Sequence, residues 1–424
     1  MLRLGVAARG RPGTRGGLMR VRRAPVVTGA LSVTELVSWG ILYYAFAVFL
    51  APMGDALGAS AAQLAGAFSA GILVSAIAGV AVGRYLDRRG PRGLMTAGSA
   101  AGVLLVLAWS RVESLTGLYA VWLGIGVVMA MVLYEPAFTV LAKHHPHPGE
   151  RRRAMTILTL FGALASFIFL PLSQLLVDAF GWRDALVTLA VVLAVITVPL
   201  HALALGDPEE DGRIAAPASA PAGDVLRSSG FWLLSAGFVL ATAAAMAMML
   251  HAIPYLIERG VSAGWAAFAV GLVGVSQIPG RLLFGPLAAR LAPATASAAV
   301  FGLVAAGLTV VVASPVGPLT VAGLVILGAG NGMATLARAT ALADLYGTGA
   351  YGTIAGVSAA ATTAARAAAP VLAALIAASA GYEALVWALV LLAVTAAGLA
   401  LRAGVTPRPA ARTAAPAAAT TGPR

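Results

Sequence analysis

The sequence contains no cysteine, which excludes a disulfide framework, thiol catalysis and any Cys-based metal site. Charge is scarce as well: only 10% of the 424 residues are Asp, Glu, Lys or Arg, too few to cover the surface of a soluble domain of this size. Lysine is reduced to Lys143; the excess of arginine and alanine reads as coding bias rather than a choice of guanidinium chemistry. There is no Gly-x4-Gly-Lys-Ser/Thr run, so ATP is not the driver, and no nucleophile with a neighbouring base marks an enzyme. His144, His145, His147 and Glu150 form the densest histidine cluster, but Pro146 and Pro148 break its spacing. Neither a metal site nor any other cofactor is expected.

What remains is apolar. Hydrophobic residues make up 60% of the chain and the mean hydropathy is +0.91. A membrane crossing takes about 20 mainly apolar residues in a helix, because unpaired backbone groups are not tolerated in lipid. Twelve such runs lie near 26–50, 60–82, 93–110, 117–140, 154–177, 184–204, 230–253, 264–288, 295–313, 318–337, 352–378 and 383–401, here called spans 1 to 12. The polar stretch 205–229 reads as a cytoplasmic linker between six-helix bundles at 26–204 and 230–403. Residues 1–25 form a basic N-terminal segment, whose Arg22-Arg23 pair resembles a twin-arginine signal but precedes a run long enough to span. The tail 404–424, rich in Ala, Pro, Thr and Arg, reads as disordered.

Basic residues are retained on the cytoplasmic side. With both termini inside, 23 of the 28 Lys and Arg residues are cytoplasmic, Arg338 among them, and only Arg111, Arg183 and Arg259 face out. The net charge of +12 therefore marks topology and contact with anionic lipid, not nucleic-acid binding. A monomeric, multi-pass protein of the inner (plasma) membrane is expected.

The two halves echo each other. Gly83-Arg84-Tyr85-Leu86-Asp87-Arg88 ends span 2 and Gly285-Pro286-Leu287-Ala288-Ala289-Arg290 ends span 8, an offset of 202. Leu123-Gly124-Ile125-Gly126 in span 4 matches Leu327-Gly328-Ala329-Gly330 in span 10, an offset of 204. Pro171 with Gly181-Trp182 is matched by Pro370 with Gly381-Tyr382. Repetition of this kind indicates two parallel six-helix repeats about an axis along the membrane normal.

The loop after span 2, with Gly83, Asp87, Arg88, Gly90 and Arg92, resembles the signature of the major facilitator superfamily, and span count, linker and repeats extend the resemblance over the whole chain. It implies an all-α membrane fold of twelve helices. It also implies a cavity lined by spans 1, 4, 7 and 10 with support from 2, 5, 8 and 11, and a cytoplasmic latch at Asp87. Physically, such a carboxylate can bond a helix N-terminus, here the start of span 11, or a nearby Arg; the plainer alternative is a topology-setting turn with Asp87 paired to Arg88.

Charges inside the membrane each cost about 2.5–3.5 kcal/mol at mid-helix, so Glu35, Glu135, Arg281 and Arg366 are the functional candidates. Glu35, Trp39, Tyr43 and Phe46 share one face of span 1. A carboxylate against rings can carry a proton; the alternative is an aromatic packing stripe with Glu35 bonded to a neighbouring helix. Glu135, in Tyr134-Glu135-Pro136, is read either as a proton carrier or as a latch residue paired with Arg84, Arg88 or Lys143, and Pro136 frees a carbonyl and can kink span 4. Arg281 and Arg366 cannot discharge and need an anion: a solute, or Glu35, Glu135 or carbonyls. Gln277-Ile278-Pro279-Gly280-Arg281 resembles the span-8 segment of the monocarboxylate and oxalate/formate branch, where an Asp precedes the Arg by four residues; Gln277 stands in its place here. Gln277, Asn331, Trp39 and Tyr43 complete the expected substrate site. The function expected is secondary, proton-coupled symport of a small organic anion such as a short carboxylate, by alternating access. The alternatives are drug or metabolite efflux by proton antiport and, from another class, a non-transporting receptor or membrane enzyme.

Overall fold

The computed structural model describes residues 14–206, 219–407 and 409, with the side chains of 14–23 and of Ala267 outside that description. Among the described residues, ten helices are long and apolar enough to cross a membrane. Two of these, Pro148–Ala204 and Tyr351–Val405, are each two spans joined at a glycine that leaves helical geometry: Gly181 (φ 75°, ψ 163°) and Gly381 (φ 85°, ψ 166°). A positive φ costs a residue with a Cβ dearly, so glycine is required at both turns. That the chain reverses at Gly181 follows from span 1, where Thr28 meets His145 and Thr34 meets His201 (Oγ1 to Nε2, 3.0 and 3.1 Å). The two ends of a 57-residue stretch lie within two turns of each other. Twelve crossings in two six-helix repeats result.

Span 1 runs over Ala24–Leu57, span 2 over Ala61–Arg89, span 3 over Arg92–Ser110 and span 4 over Leu115–His144. Spans 7 to 10 are Ser229–Glu258, Ala263–Arg290, Pro293–Ala313 and Pro318–Tyr346. The helix of span 10 extends nine residues past the expected end at 337, and the first helix begins at Thr14, inside the expected N-terminal segment. Of the linker 205–229, residues 207–218 lie outside the described residues and Ala222–Arg227 is a short helix. The tail from 410 on lies outside them as well.

The repeat is visible in local structure. Ser60 and Ser262, 202 residues apart, each cap the start of a helix, by accepting from Gln63 N (3.3 Å) and Trp265 N (3.5 Å), which satisfies an otherwise orphaned amide. A Cβ on Gly126 of span 4 would overlap the Gly71 carbonyl of span 2; 202 residues on, a Cβ on Gly328 of span 10 would overlap the Val273 carbonyl of span 8. Small residues let helices approach closely in lipid, where no hydrophobic drive separates them from the tails. This contact aligns Gly126 with Gly328, two residues away from the Leu-Gly-x-Gly alignment expected from sequence.

Candidate substrate site

Span 1 is interrupted by a π turn, Gly40–Tyr44, closed by Ala45 N donating to Gly40 O (2.9 Å). Phe169 of span 5 packs where a Cβ of residue 40 would stand, so glycine at this position lets the two helices touch. The extra residue in the turn swings Tyr43 toward the axis of the bundle. Span 4 is interrupted at Leu133 (φ −87°, ψ −161°). Pro136 lacks the amide that would bond the Val132 carbonyl and its ring crowds that carbonyl, so the helix restarts at Tyr134. Trp39, Tyr43 and Tyr134 come together as a result, with ring centroids 5.0 Å (Trp39–Tyr43) and 4.8 Å (Trp39–Tyr134) apart.

These rings line a cavity of about 410 Å³ between the halves, built from spans 1, 2, 4, 7, 10 and 11. Arg366 of span 11 opens onto it, exposed to the cavity while deep within the bundle, and no hydrogen bond or ion pair to it is found among the described residues. Glu135 and Arg338 also line the cavity and form an ion pair across the halves. They stand on spans 4 and 10, which correspond to each other in the repeat, so the pair ties the two halves together. Removing one partner of a buried pair strands the other charge at a cost of about 3–5 kcal/mol; the lower end applies, since 25% of the Glu135 side chain is open to the cavity. Glu135→Gln or Arg338→Gln therefore lowers the thermal unfolding temperature in detergent, and the double exchange Glu135→Arg with Arg338→Glu recovers much of it. Equal melting of all four proteins would contradict the pair.

Arg281 is buried and is not part of the cavity lining. Its Nη1 donates to Thr159 O of span 5 (2.8 Å) and Nη2 to Gln277 Oε1 (3.5 Å), while Nε has no partner. Glu35 is 0% exposed, and neither carboxylate oxygen has a hydrogen-bond partner among the described residues.

The end of the bundle that bears most of the arginines, the basic end, is closed. Asp87 at the foot of span 2 accepts from Gly352 N (3.0 Å), Thr353 N (2.7 Å) and Thr353 Oγ1 (2.8 Å) at the start of span 11, and from Lys143 Nζ (3.0 Å). A carboxylate at a helix N-terminus meets both the free amides and the positive end of the dipole. Cβ atoms on Gly83 or Gly356 would overlap the facing carbonyls of Gly352 and Gly79, so spans 2 and 11 touch backbone to backbone here. Arg151 and Arg152 of span 5 pair with Asp344 of span 10, and Arg151 also donates to the carbonyls of His145 and Pro146 (3.3 Å each).

His145 lies in the loop before span 5, with Thr28 Oγ1 at 3.0 Å from Nε2. Burial pushes its imidazole below the ordinary range; His144 and Arg151 push the same way and Glu150 opposes them. The neutral ring thus favours the folded state, a contribution complete above the unfolded pKa of about 6.5 and lost as pH falls through the lower folded value. Thermal unfolding measured from pH 7.5 to 5 declines, and His145→Gln flattens that decline; an unchanged slope would contradict the assignment.

Of the residues expected at a substrate site, Trp39, Tyr43 and Arg366 line the cavity, whereas Arg281, Gln277 and Asn331 do not. Neither Glu35 nor Glu135 pairs with Arg281 or Arg366. Glu135 reaches Arg338 instead of Arg84, Arg88 or Lys143, because the break at Leu133 turns it across the axis. Arg338, expected in a cytoplasmic loop, sits in the cavity because span 10 is longer than its apolar run. Asp87 bonds the start of span 11 and Lys143 rather than Arg88, which is exposed, as is Arg84. Gly90 (φ 82°) ends span 2 and Arg92 begins span 3. Arg338, Asp344, Phe68 and Tyr134 were missed. The one signal in the sequence was that Glu135 and Arg338 stand 203 residues apart, within one residue of the 202 offset of the repeat.

A family model described as Major Facilitator Superfamily matches residues 31–370. Human monocarboxylate transporter 11 is 31% identical over 248 residues, 55% of this chain and 50% of the relative. An MFS-type efflux pump of Mycolicibacterium smegmatis (strain ATCC 700084 / mc(2)155) is 29% identical over 228 residues, 52% of each. The chain thus spans about half the length of these curated relatives. A bacterial homologue of the iron transporter ferroportin, in its outward-facing state, superposes with a TM-score of 0.72 at 15% identity, covering 89% of this chain and 99% of that one.

Proposed function

The chain belongs to the major facilitator superfamily, and from that premise we propose that it is a secondary transporter that carries a small organic anion of the carboxylate class by alternating access. It is not an enzyme. The observation that carries the reading is Arg366, a permanent cation facing a central cavity with no hydrogen bond or ion pair among the described residues; the nearby acid Glu135 is bonded to Arg338 instead. A cation in a low-dielectric site needs a partner, and a carboxylate solute supplies one in the fork geometry that guanidinium favours. With Glu135 held by Arg338, Arg366 stays free for the solute. The closed contacts at Asp87 and Asp344 support a state sealed on the cytoplasmic side, so the cavity loads from the other side and the halves then rock around the occupied site.

Glu35 is the acid whose charge can change without breaking an ion pair, which supports it as the proton-responsive group. The protein works as a monomer in the plasma membrane with both termini in the cytoplasm. The test is uptake into proteoliposomes of a panel of carboxylates, with and without an imposed pH gradient. Saturable uptake of a carboxylate, accelerated by a gradient that drives protons in the same direction, is the expected result, and Glu35→Gln removes most of that acceleration. Transport confined to neutral or cationic solutes would end the carboxylate reading; a gradient response intact in Glu35→Gln would end the Glu35 assignment alone. A second reading, export of an amphipathic compound against protons, draws on the efflux-pump relative and the ring-lined cavity wall. Accumulation of a neutral amphipathic dye, opposed by the gradient, would favour it.

A further inference from the structure

The cavity is chemically two-sided. The wall contributed by the N-terminal half carries four rings: Trp39, Tyr43, Phe68 and Tyr134. Tyr43 lies 5.1 Å from Phe68 as well as 5.0 Å from Trp39, which in turn lies 4.8 Å from Tyr134, so the rings form one continuous surface. The wall contributed by the C-terminal half carries Arg366 with Thr335 and Thr363, and Arg338, whose charge is taken up by Glu135 of the opposite wall.

Two of the four rings stand where the backbone leaves the α-helix, Tyr43 inside the π turn and Tyr134 directly after Leu133. Departures from helix within the membrane leave backbone groups short of partners and are tolerated where they border a cavity. Both departures present rings to the same wall. A two- or three-carbon acid would engage Arg366 and leave that wall unused. The volume of about 410 Å³ falls in the range of about 300–1,000 Å³ typical of sites for much larger ligands. Rings also suit organic cations, but the uncompensated Arg366 in the same cavity repels them.

Resting on the carboxylate reading above, we propose that the transported solute is an aromatic acid, its carboxylate on Arg366 and its ring stacked against Tyr43 and Phe68. An aryl group adds both buried apolar area and ring-to-ring contact, so preference over an aliphatic acid of similar acidity is at least about tenfold in apparent affinity.

The experiment is counterflow in proteoliposomes with three radiolabelled probes: phenylacetate, propionate and the uncharged phenylacetamide. Phenylacetate is expected to win over propionate by about tenfold or more, with phenylacetamide inert. Phe68→Leu, which keeps apolar bulk and removes the ring, narrows the ratio, and Tyr43→Leu does the same by a second route should one variant fail to insert. Equal or better transport of propionate overturns the aromatic proposal and leaves the carboxylate reading standing. Transport of phenylacetamide as well as phenylacetate, or of no probe at all, overturns both. A ratio unchanged in the two ring variants, both confirmed inserted by size-exclusion profile, also overturns the proposal.

Discussion

Arg366→Ala is expected to abolish the proposed saturable carboxylate transport while leaving the protein inserted and at least as heat-stable as the parent. The guanidinium opens onto the cavity and is paired with no acid among the described residues, since Glu135 is committed to Arg338 and Glu35 is fully buried. Hydrogen bonds to a charged group contribute about 1.5–3 kcal/mol each, and a carboxylate on Arg366 can accept two. Their loss weakens binding by about 100-fold or more. In the empty protein the same cation is a liability, because an ion at mid-membrane costs about 2.5–3.5 kcal/mol; its removal does not cost stability. Loss of transport with unchanged or raised thermal unfolding temperature is therefore the signature, one that a purely structural arginine does not produce. Arg366→Lys keeps the charge and loses the planar fork, so its apparent affinity falls between the two. Uptake kinetics of an identified carboxylate check all three proteins, and unchanged KM and rate in Arg366→Ala would refute the assignment.

Asp87→Asn slows transport by at least tenfold and opens the basic end of the bundle. The carboxylate now joins span 2 to the start of span 11 through two amides and a hydroxyl and binds the ammonium of Lys143. Asparagine keeps the shape but loses the charge that strengthens each of these bonds. A loss of about 3 kcal/mol from the closed state shifts the balance of conformations by about 100-fold. Because the chain has no cysteine, a single introduced thiol reports the change without background. Ala360→Cys places it on the cavity lining. In inside-out vesicles a membrane-impermeant maleimide is expected to label it slowly with Asp87 present and faster with Asn in its place. Parental transport rate and parental labelling in the variant would remove the latch.

How much was legible depended on how local the determinant is. The spans were readable because crossing a membrane depends on the length of an apolar run, and Gly181 and Gly381 were readable as lying between spans because each falls in the same repeated gap between two such runs. Asp87 was readable because its signature is a contiguous segment. Span 10 misled at its basic end: hydropathy falls off before the helix does, since Arg338 and Asp344 find partners across the interface with the other half. The π turn at Gly40 was hidden, because the residue that makes glycine necessary there is Phe169, on another helix.

The sequence by itself determined the membrane class, the twelve crossings, the duplicated halves and four of the charges inside, Glu35, Glu135, Arg281 and Arg366. Only the tertiary structure decided how those charges are matched. Glu135 meets Arg338, Arg281 rests on the Thr159 carbonyl, Glu35 is left without a bond, and Arg366 alone of these opens unpaired onto the cavity. The physical reason is that the energy of inserting a helix is close to a sum over its own residues, whereas pairing at a few ångströms depends on the rotation and depth of two helices from opposite halves. A single π turn or one proline-induced break changes both.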